Sequence, residues 1–142
     1  MREVLFVCIH NSGRSQMAEA FFNQMAPAGW QATSAGTLPT VEINPLAVQV
    51  MHELGIDISK NQPKQLVPEM LEDVQYIYTM GCDVDSGACP AGFLKTEDWG
   101  LEDPAGKPIE TVRNIRNDIK SRVEYLIKRL SPDFTVAKSY KI

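Results

Sequence analysis

The chain has 142 residues, 44% hydrophobic and 23% charged, with a formal net charge of −4 at pH 7. That length suffices for one domain with a full core, and residues 1–142 are expected to form it. The acidic balance argues against nucleic acid as the main partner, and no apolar run approaches the roughly 20 residues that span a bilayer.

Met1-Arg2-Glu3 leads straight into a strand-like run, without the longer apolar region of a signal peptide, so a cytoplasmic protein away from membranes is expected. A monomer is also expected. Glu3 to Ile9 is a short apolar run that reads as a buried parallel strand. Arg14 to Met25 follows, with Met17, Ala18, Phe21, Phe22 and Met25 at helical spacing, closed by Pro27 and Gly29. Trp30 to Ala35 reads as a second strand, ending at Gly36. Asn44-Pro45 is a cap with proline at the first helical position. Leu46, Val50, Met51 and Leu54 then line one helix face, and Gly55 ends it. Gln75 to Met80 is a third strand. Gly81 to Pro104 is rich in glycine and proline, with a fourth short strand expected within Phe93 to Asp98. Ile109 to Leu130 is a long amphipathic helix, with Val112, Ile115, Ile119, Val123, Leu126, Ile127 and Leu130 on one side, stopped by Ser131-Pro132. The tail to Ile142 is weakly patterned. Strands alternating with helices predict an α/β, three-layer sandwich with a four-stranded parallel sheet flanked by helices. Ligands bind such sheets beyond the carboxyl ends of the strands.

Cys8 stands at one such end, opening the run Cys8-Ile9-His10-Asn11-Ser12-Gly13-Arg14-Ser15 between a strand and a helix. A helix N-terminus carries about half a positive charge, and its first N–H groups lack partners within the helix. The loop Ile9, His10, Asn11, Ser12, Gly13 with Arg14 and Ser15 is therefore a candidate cradle for a tetrahedral oxyanion. A thiolate is the reactive form of cysteine, and this setting favours it. Arg14 offers a planar fork of donors, Gly13 permits backbone angles that other residues avoid, and Ser15 is placed to orient the sulfur. A lone cysteine at a strand end is more often a small buried hydrophobe. Arg14 and Ser15 in a strand–loop–helix context turn the balance toward a nucleophile.

Three cysteines make a static disulfide framework unlikely to be the purpose. Cys82 follows the third strand and Cys89 comes seven residues later. Two incidental cysteines and a relay are both open readings. In the relay, Cys8 takes an oxyanion adduct, Cys82 attacks it and Cys89 resolves the disulfide. The spacing does not select a metal site, since structural zinc wants four ligands in tighter pairs. Asp103, before Pro104, is either a turn residue or a proton donor to a leaving oxygen.

These residues carry a resemblance. The loop continues as Gln16-Met17-Ala18-Glu19-Ala20, and further on stand Gly55-Ile56-Asp57-Ile58-Ser59, Thr79-Met80-Gly81-Cys82, Ala88-Cys89-Pro90, and Trp99 followed by Glu102-Asp103-Pro104-Ala105-Gly106. Over nearly its whole length the chain resembles the thioredoxin-coupled arsenate reductases, which share the fold of low-molecular-weight protein tyrosine phosphatases. The resemblance implies arsenic detoxification, in which Cys8 attacks arsenate and Asp103 assists loss of hydroxide. It implies that Cys82 then attacks Cys8 and releases arsenite. A Cys82–Cys89 disulfide would follow, reduced by thioredoxin, with no metal, flavin or nucleotide cofactor. Phosphate and sulfate are expected competitors of arsenate.

Some members of that family bind potassium beside the loop. Asn11, Glu19 and Ser34 stand at matching places, but Lys64 takes the place of an aspartate, so no potassium dependence is expected. His10 stands where glycine is common, Gly13 where some relatives have a further cysteine, and the segment after Cys82 starts Asp-Val-Asp rather than glycine-rich. The main alternative is a low-molecular-weight tyrosine phosphatase, which would use Cys8, Arg14 and Asp103 but not Cys82 or Cys89. Its aromatic wall after Asp-Pro is missing, because Ala105-Gly106 follow. A redox-sensing or oxyanion-binding module without turnover is a third reading.

Overall fold

The structure, a computed structural model, describes residues 2–81 and 96–130. Four strands form one sheet: β1 (Arg2–Cys8), β2 (Trp30–Gly36), β3 (Tyr76–Thr79) and β4 (Thr96–Asp98). The strand order is β2-β1-β3-β4 and every pairing is parallel. The helices are α1 (Arg14–Met25), α2 (Pro45–His52), the short α3 (Glu69–Glu72) and α4 (Ile109–Leu130). The expected α/β sheet with flanking helices is therefore present.

β1 is central and covered on both faces, which is why its residues run apolar without alternation. Val4, Leu5, Phe6 and Val7 are each fully buried. Val4 and Phe6 face one core with Met17, Phe21 and Phe22 of α1 and Ile115, Ile119 and Val123 of α4. Leu5 and Val7 face a smaller core with Ala35, Val74 and Ile77, capped by Leu66, Met70 and Leu71. Phe6 sits among aromatic rings, 6.1 Å from Phe22, 5.8 Å from Tyr78 and 5.6 Å from Trp99. Burying such a ring contributes about 1.5–3 kcal/mol, so this cluster fixes how α1 lies on the sheet.

The chain leaves β1 in one direction through α1 to β2, and returns on the other side of β1 to form β3. The carboxyl ends of β1 and β3 thus flank the switch point of the sheet, where open α/β sheets bind ligands.

Element ends differ from the expectations in informative ways. β1 stops at Cys8, because the carbonyls of Cys8 and Ile9 turn away to accept from Thr37 and Leu38. α2 ends at His52, not at Leu54, which is 41% exposed and lines no buried face. Gly55 and Ile56 donate back to His52 and Met51 in a Schellman closure, with Gly55 at φ +79. Asn44 caps α2 as expected, accepting from Leu46 N at 2.9 Å. β3 is shorter than expected at each end, and α3 was not anticipated.

α4 is tied to α2 by ion pairs. Glu53 accepts from Arg113 Nε at 3.1 Å and Nη2 at 2.7 Å, and from Arg116 Nη1 at 2.7 Å. Arg113 also pairs with Glu110, and the mostly buried Arg116 caps the Val50 carbonyl at 2.8 Å. The Arg113 hydrogen bonds, then those of Arg116, hold the Glu53 carboxyl at about 2, against an ordinary 4.5. A carboxyl depressed on folding stabilises the fold above its unfolded value and ceases to do so as pH falls through its folded one. Stability is therefore expected to drop between about pH 4.5 and 2, and Glu53→Gln should flatten that part of the curve. Melting temperatures of the two proteins across this range provide the check, and parallel curves would contradict it.

Candidate active site

Cys8 is the last residue of β1 and is buried at 3% exposure. Residues 9–13 form the loop, and Arg14 and Ser15 open α1. α1 has no side-chain cap at its N-terminus, where Gly13 is the N-cap. Its leading amides are thus not satisfied in the usual way.

The loop's carbonyls are held on its outer side. Those of Cys8, Ile9, His10 and Ser12 accept from Thr37, Leu38, Thr40 and Asn44 at 3.3, 2.8, 3.2 and 2.7 Å. In a planar trans peptide the following N–H points the opposite way. The amides of Ile9, His10, Asn11 and Gly13 therefore turn toward the inner side of the loop. That of Asn11 reaches the Cys8 sulfur at 3.1 Å. His10 adds a tether to the outer side, from Nδ1 to the Leu38 carbonyl at 3.0 Å.

Asn11 is fully buried and adopts φ 52, a left-handed conformation that asparagine tolerates. Its Nδ2 donates to Ser15 Oγ at 2.7 Å and to Ser34 Oγ at 3.0 Å. Its Oδ1 accepts from Gln16 Nε2 at 3.0 Å and from the Lys64 backbone N at 2.8 Å. Every hydrogen-bonding position of the side-chain amide is used. Ser15 Oγ, which accepts from Asn11, also lies 2.9 Å from Cys8 Sγ, and either atom can be the donor of that bond. When the sulfur is ionised, the hydroxyl can turn its proton to it beside the Asn11 amide, an arrangement that can serve a thiolate.

The second arm of the network ends in charge. Ser34 Oγ donates to Glu19 Oε1 at 2.7 Å, and the Lys64 ammonium lies 3.5 Å from the same oxygen. Asn11, Glu19, Ser34 and Lys64 are therefore brought together. Ser34 Oγ bonds the Glu19 carboxylate, the Asn11 oxygen accepts from two nitrogens, and the Lys64 ammonium is the positive charge facing Glu19. Among the described residues no cluster of three or more His, Cys, Asp or Glu is placed to hold a metal.

Arg14 is 4% exposed, and its Nη1 donates to the carbonyls of Met80 and Leu101 at 2.8 and 3.0 Å. One nitrogen thus holds the side chain between the ends of β3 and β4, and the rest of the fork is not needed for anchorage. Asp103 is exposed and accepts from Ala105 N at 3.0 Å, the turn geometry of an aspartate before proline. The neighbouring Pro104 is buried, and a Cβ on Gly13 would come within 3.0 Å of it. The Asp103 turn therefore packs on the anion loop. Beside Ser12, an open cavity of about 590 Å³ is bordered by Thr40, Ile43, Pro45, Ala105 and Gly106, and among the described residues its lining holds no aromatic side chain.

Cys82 and Cys89 lie outside the described residues. The sequence reading missed Gln16, Met80 and Leu101. Gln16 was detectable as an amide on the helix's apolar face; it is fully buried and also bonds the Gln62 carbonyl. The other two act through backbone carbonyls, which leave no mark in residue type.

Residues 3–136 match the family model of low molecular weight phosphotyrosine protein phosphatase. The chain is 36% identical to the arsenate reductase of Staphylococcus aureus (strain Newman) over 125 residues, 87% of this chain and 94% of that one. It is 37% identical to the glutaredoxin arsenate reductase of Synechocystis sp. over 135 residues, 92% of this chain and all of that one. A solved arsenate reductase in the phosphate binding state superposes with a TM-score of 0.78 at 37% identity, covering 92% of this chain and 100% of that one. With the cysteine–arginine loop in place at the head of α1, the chain belongs to the low-molecular-weight phosphotyrosine protein phosphatase family.

Proposed function

We propose that the protein reduces arsenate to arsenite in arsenic detoxification, in the cytoplasm. The observation that carries this reading is the buried Cys8 sulfur at the uncapped mouth of α1, facing the Asn11 amide and the Ser15 hydroxyl, in a chain whose relatives include arsenate reductases.

The loop amides of residues 9–15 and Arg14 hold arsenate as they would phosphate. The Cys8 thiolate attacks arsenic, and Asp103 protonates the departing hydroxide. The Cys82 thiolate then attacks the Cys8 sulfur. As that S–S bond forms, the S–As electron pair passes to arsenic, which leaves as arsenite. Cys89 attacks Cys82, the Cys8 thiolate departs, and a Cys82–Cys89 disulfide remains. An external dithiol restores the thiols, so the scheme needs no metal, flavin or nucleotide. Thioredoxin is the donor of the main reading. A glutaredoxin donor is the second reading, favoured by the similarity to the glutaredoxin arsenate reductase of Synechocystis sp.. A phosphotyrosine phosphatase would want aromatic walls, and among the described residues the cavity bordered by Ala105 and Gly106 has none.

The test is NADPH consumption with arsenate, run once with thioredoxin and its reductase and once with glutaredoxin, glutathione and glutathione reductase. Arsenate-dependent turnover in either arm supports the reductase, and the faster arm identifies the donor. No turnover, with clear release of phosphate from an aryl phosphate, would favour the phosphatase. Cys8→Ser should lose all turnover; residual activity in that variant would remove Cys8 as the nucleophile. Cys89→Ser should release at most one arsenite per chain, and sustained cycling by it would defeat the relay. Exchanging sodium for potassium at fixed ionic strength should change the rate less than about twofold, since Lys64 already faces Glu19. A several-fold rise with potassium would contradict that assignment.

A further inference from the structure

Asp98 ends β4 and lies outside the chemistry described above. One of its oxygens accepts from Thr79 Oγ1 at 2.6 Å and from Gly81 N at 2.8 Å. The other accepts from Gly100 N at 3.2 Å. Trp99 N adds a bond to the Thr79 carbonyl at 2.8 Å. The carboxylate therefore clips together the outgoing ends of β3 and β4.

The same two ends hold Arg14. Met80, whose carbonyl accepts from Arg14, lies between Thr79 and Gly81, both bonded to Asp98. Leu101, whose carbonyl is the second acceptor, follows Gly100, also bonded to Asp98. The fit is tight. A Cβ on Gly81, which has φ +114, would fall 2.3 Å from the Leu101 oxygen and 2.9 Å from Arg14 Nη1. A small change in the spacing of the two strand ends must move the guanidinium.

We propose that Asp98 is a positioning residue for oxyanion binding: its carboxylate sets the two carbonyls that fix Arg14. In this reading Asp98 acts on Arg14 through the backbone that carries the Met80 and Leu101 carbonyls. The proposal rests on the reading of residues 8–15 as the anion site.

The test measures the Kd of inorganic phosphate by titration calorimetry, together with KM and kcat for arsenate, in wild-type protein and in Asp98→Ala and Asp98→Asn. Both variants should raise the phosphate Kd and the arsenate KM together, by about tenfold for Asp98→Ala, as expected when a binding group is displaced by a fraction of an ångström. Gly81→Ala, whose Cβ would crowd Arg14 Nη1 and the Leu101 oxygen, should shift them in the same direction. Thermal melting identifies which variants are folded, and Asp98→Asn, close to isosteric, carries the test if Asp98→Ala does not fold. A purely structural role would lower the melting temperature and leave the phosphate Kd of the folded variants at the wild-type value, and that result overturns the proposal. Wild-type protein that binds no phosphate would overturn the anion-site reading and this proposal with it.

Discussion

The site depends on one buried amide. Asn11 joins four parts of the chain: its own loop, the start of α1 through Ser15 and Gln16, β2 through Ser34, and the segment before α3 through the Lys64 backbone. A buried polar group left without its partner costs about 1–3 kcal/mol, so these bonds act together or not at all. The left-handed φ of Asn11 places its N–H on the sulfur and its side chain in the network at once. Replacing it with an aliphatic residue would strain the backbone and orphan several buried groups.

That amide links the Cys8 thiol to a charge pair. From Cys8 the bonds run through Ser15, Asn11 and Ser34 to Glu19, which Lys64 faces. The positive charge beside Glu19 is thus the Lys64 ammonium. Glu19 sits partly buried beside a loop built for anions, and the ammonium offsets its charge. On the opposite side, Arg14 is held by carbonyls at the ends of β3 and β4. The sheet order puts these ends beside that of β1, so the fold's switch point and the candidate anion site coincide.

Much of this was legible in the sequence, for physical reasons. β1 showed as an unbroken apolar run because it is buried on both faces, and α4 showed through the spacing of Val112, Ile115, Ile119 and Val123. Cys8, Arg14 and Ser15 stood out because a strand–loop–helix junction with those side chains has few other uses. Asn11, Glu19, Ser34 and Lys64 were named together through a resemblance, and only coordinates could reveal that they bond one another. The Arg14 anchors were hidden because backbone carbonyls have no residue signature. Leu54 misled because it matches helical spacing, whereas the helix ends at His52 and Leu54 lies in the closing turn that Gly55 completes. The relay thiols Cys82 and Cys89 remain a reading of sequence and family.

The central claim is that an oxyanion bound at Cys8 is reduced with electrons from the chain's own thiols. Its most direct test is disulfide mapping by mass spectrometry after fully reduced protein meets excess arsenate with no external reductant. The account predicts one arsenite released per chain, a Cys82–Cys89 disulfide, and Cys8 recovered as a thiol. Protein that binds the anion yet keeps all three thiols reduced and yields no arsenite would contradict it.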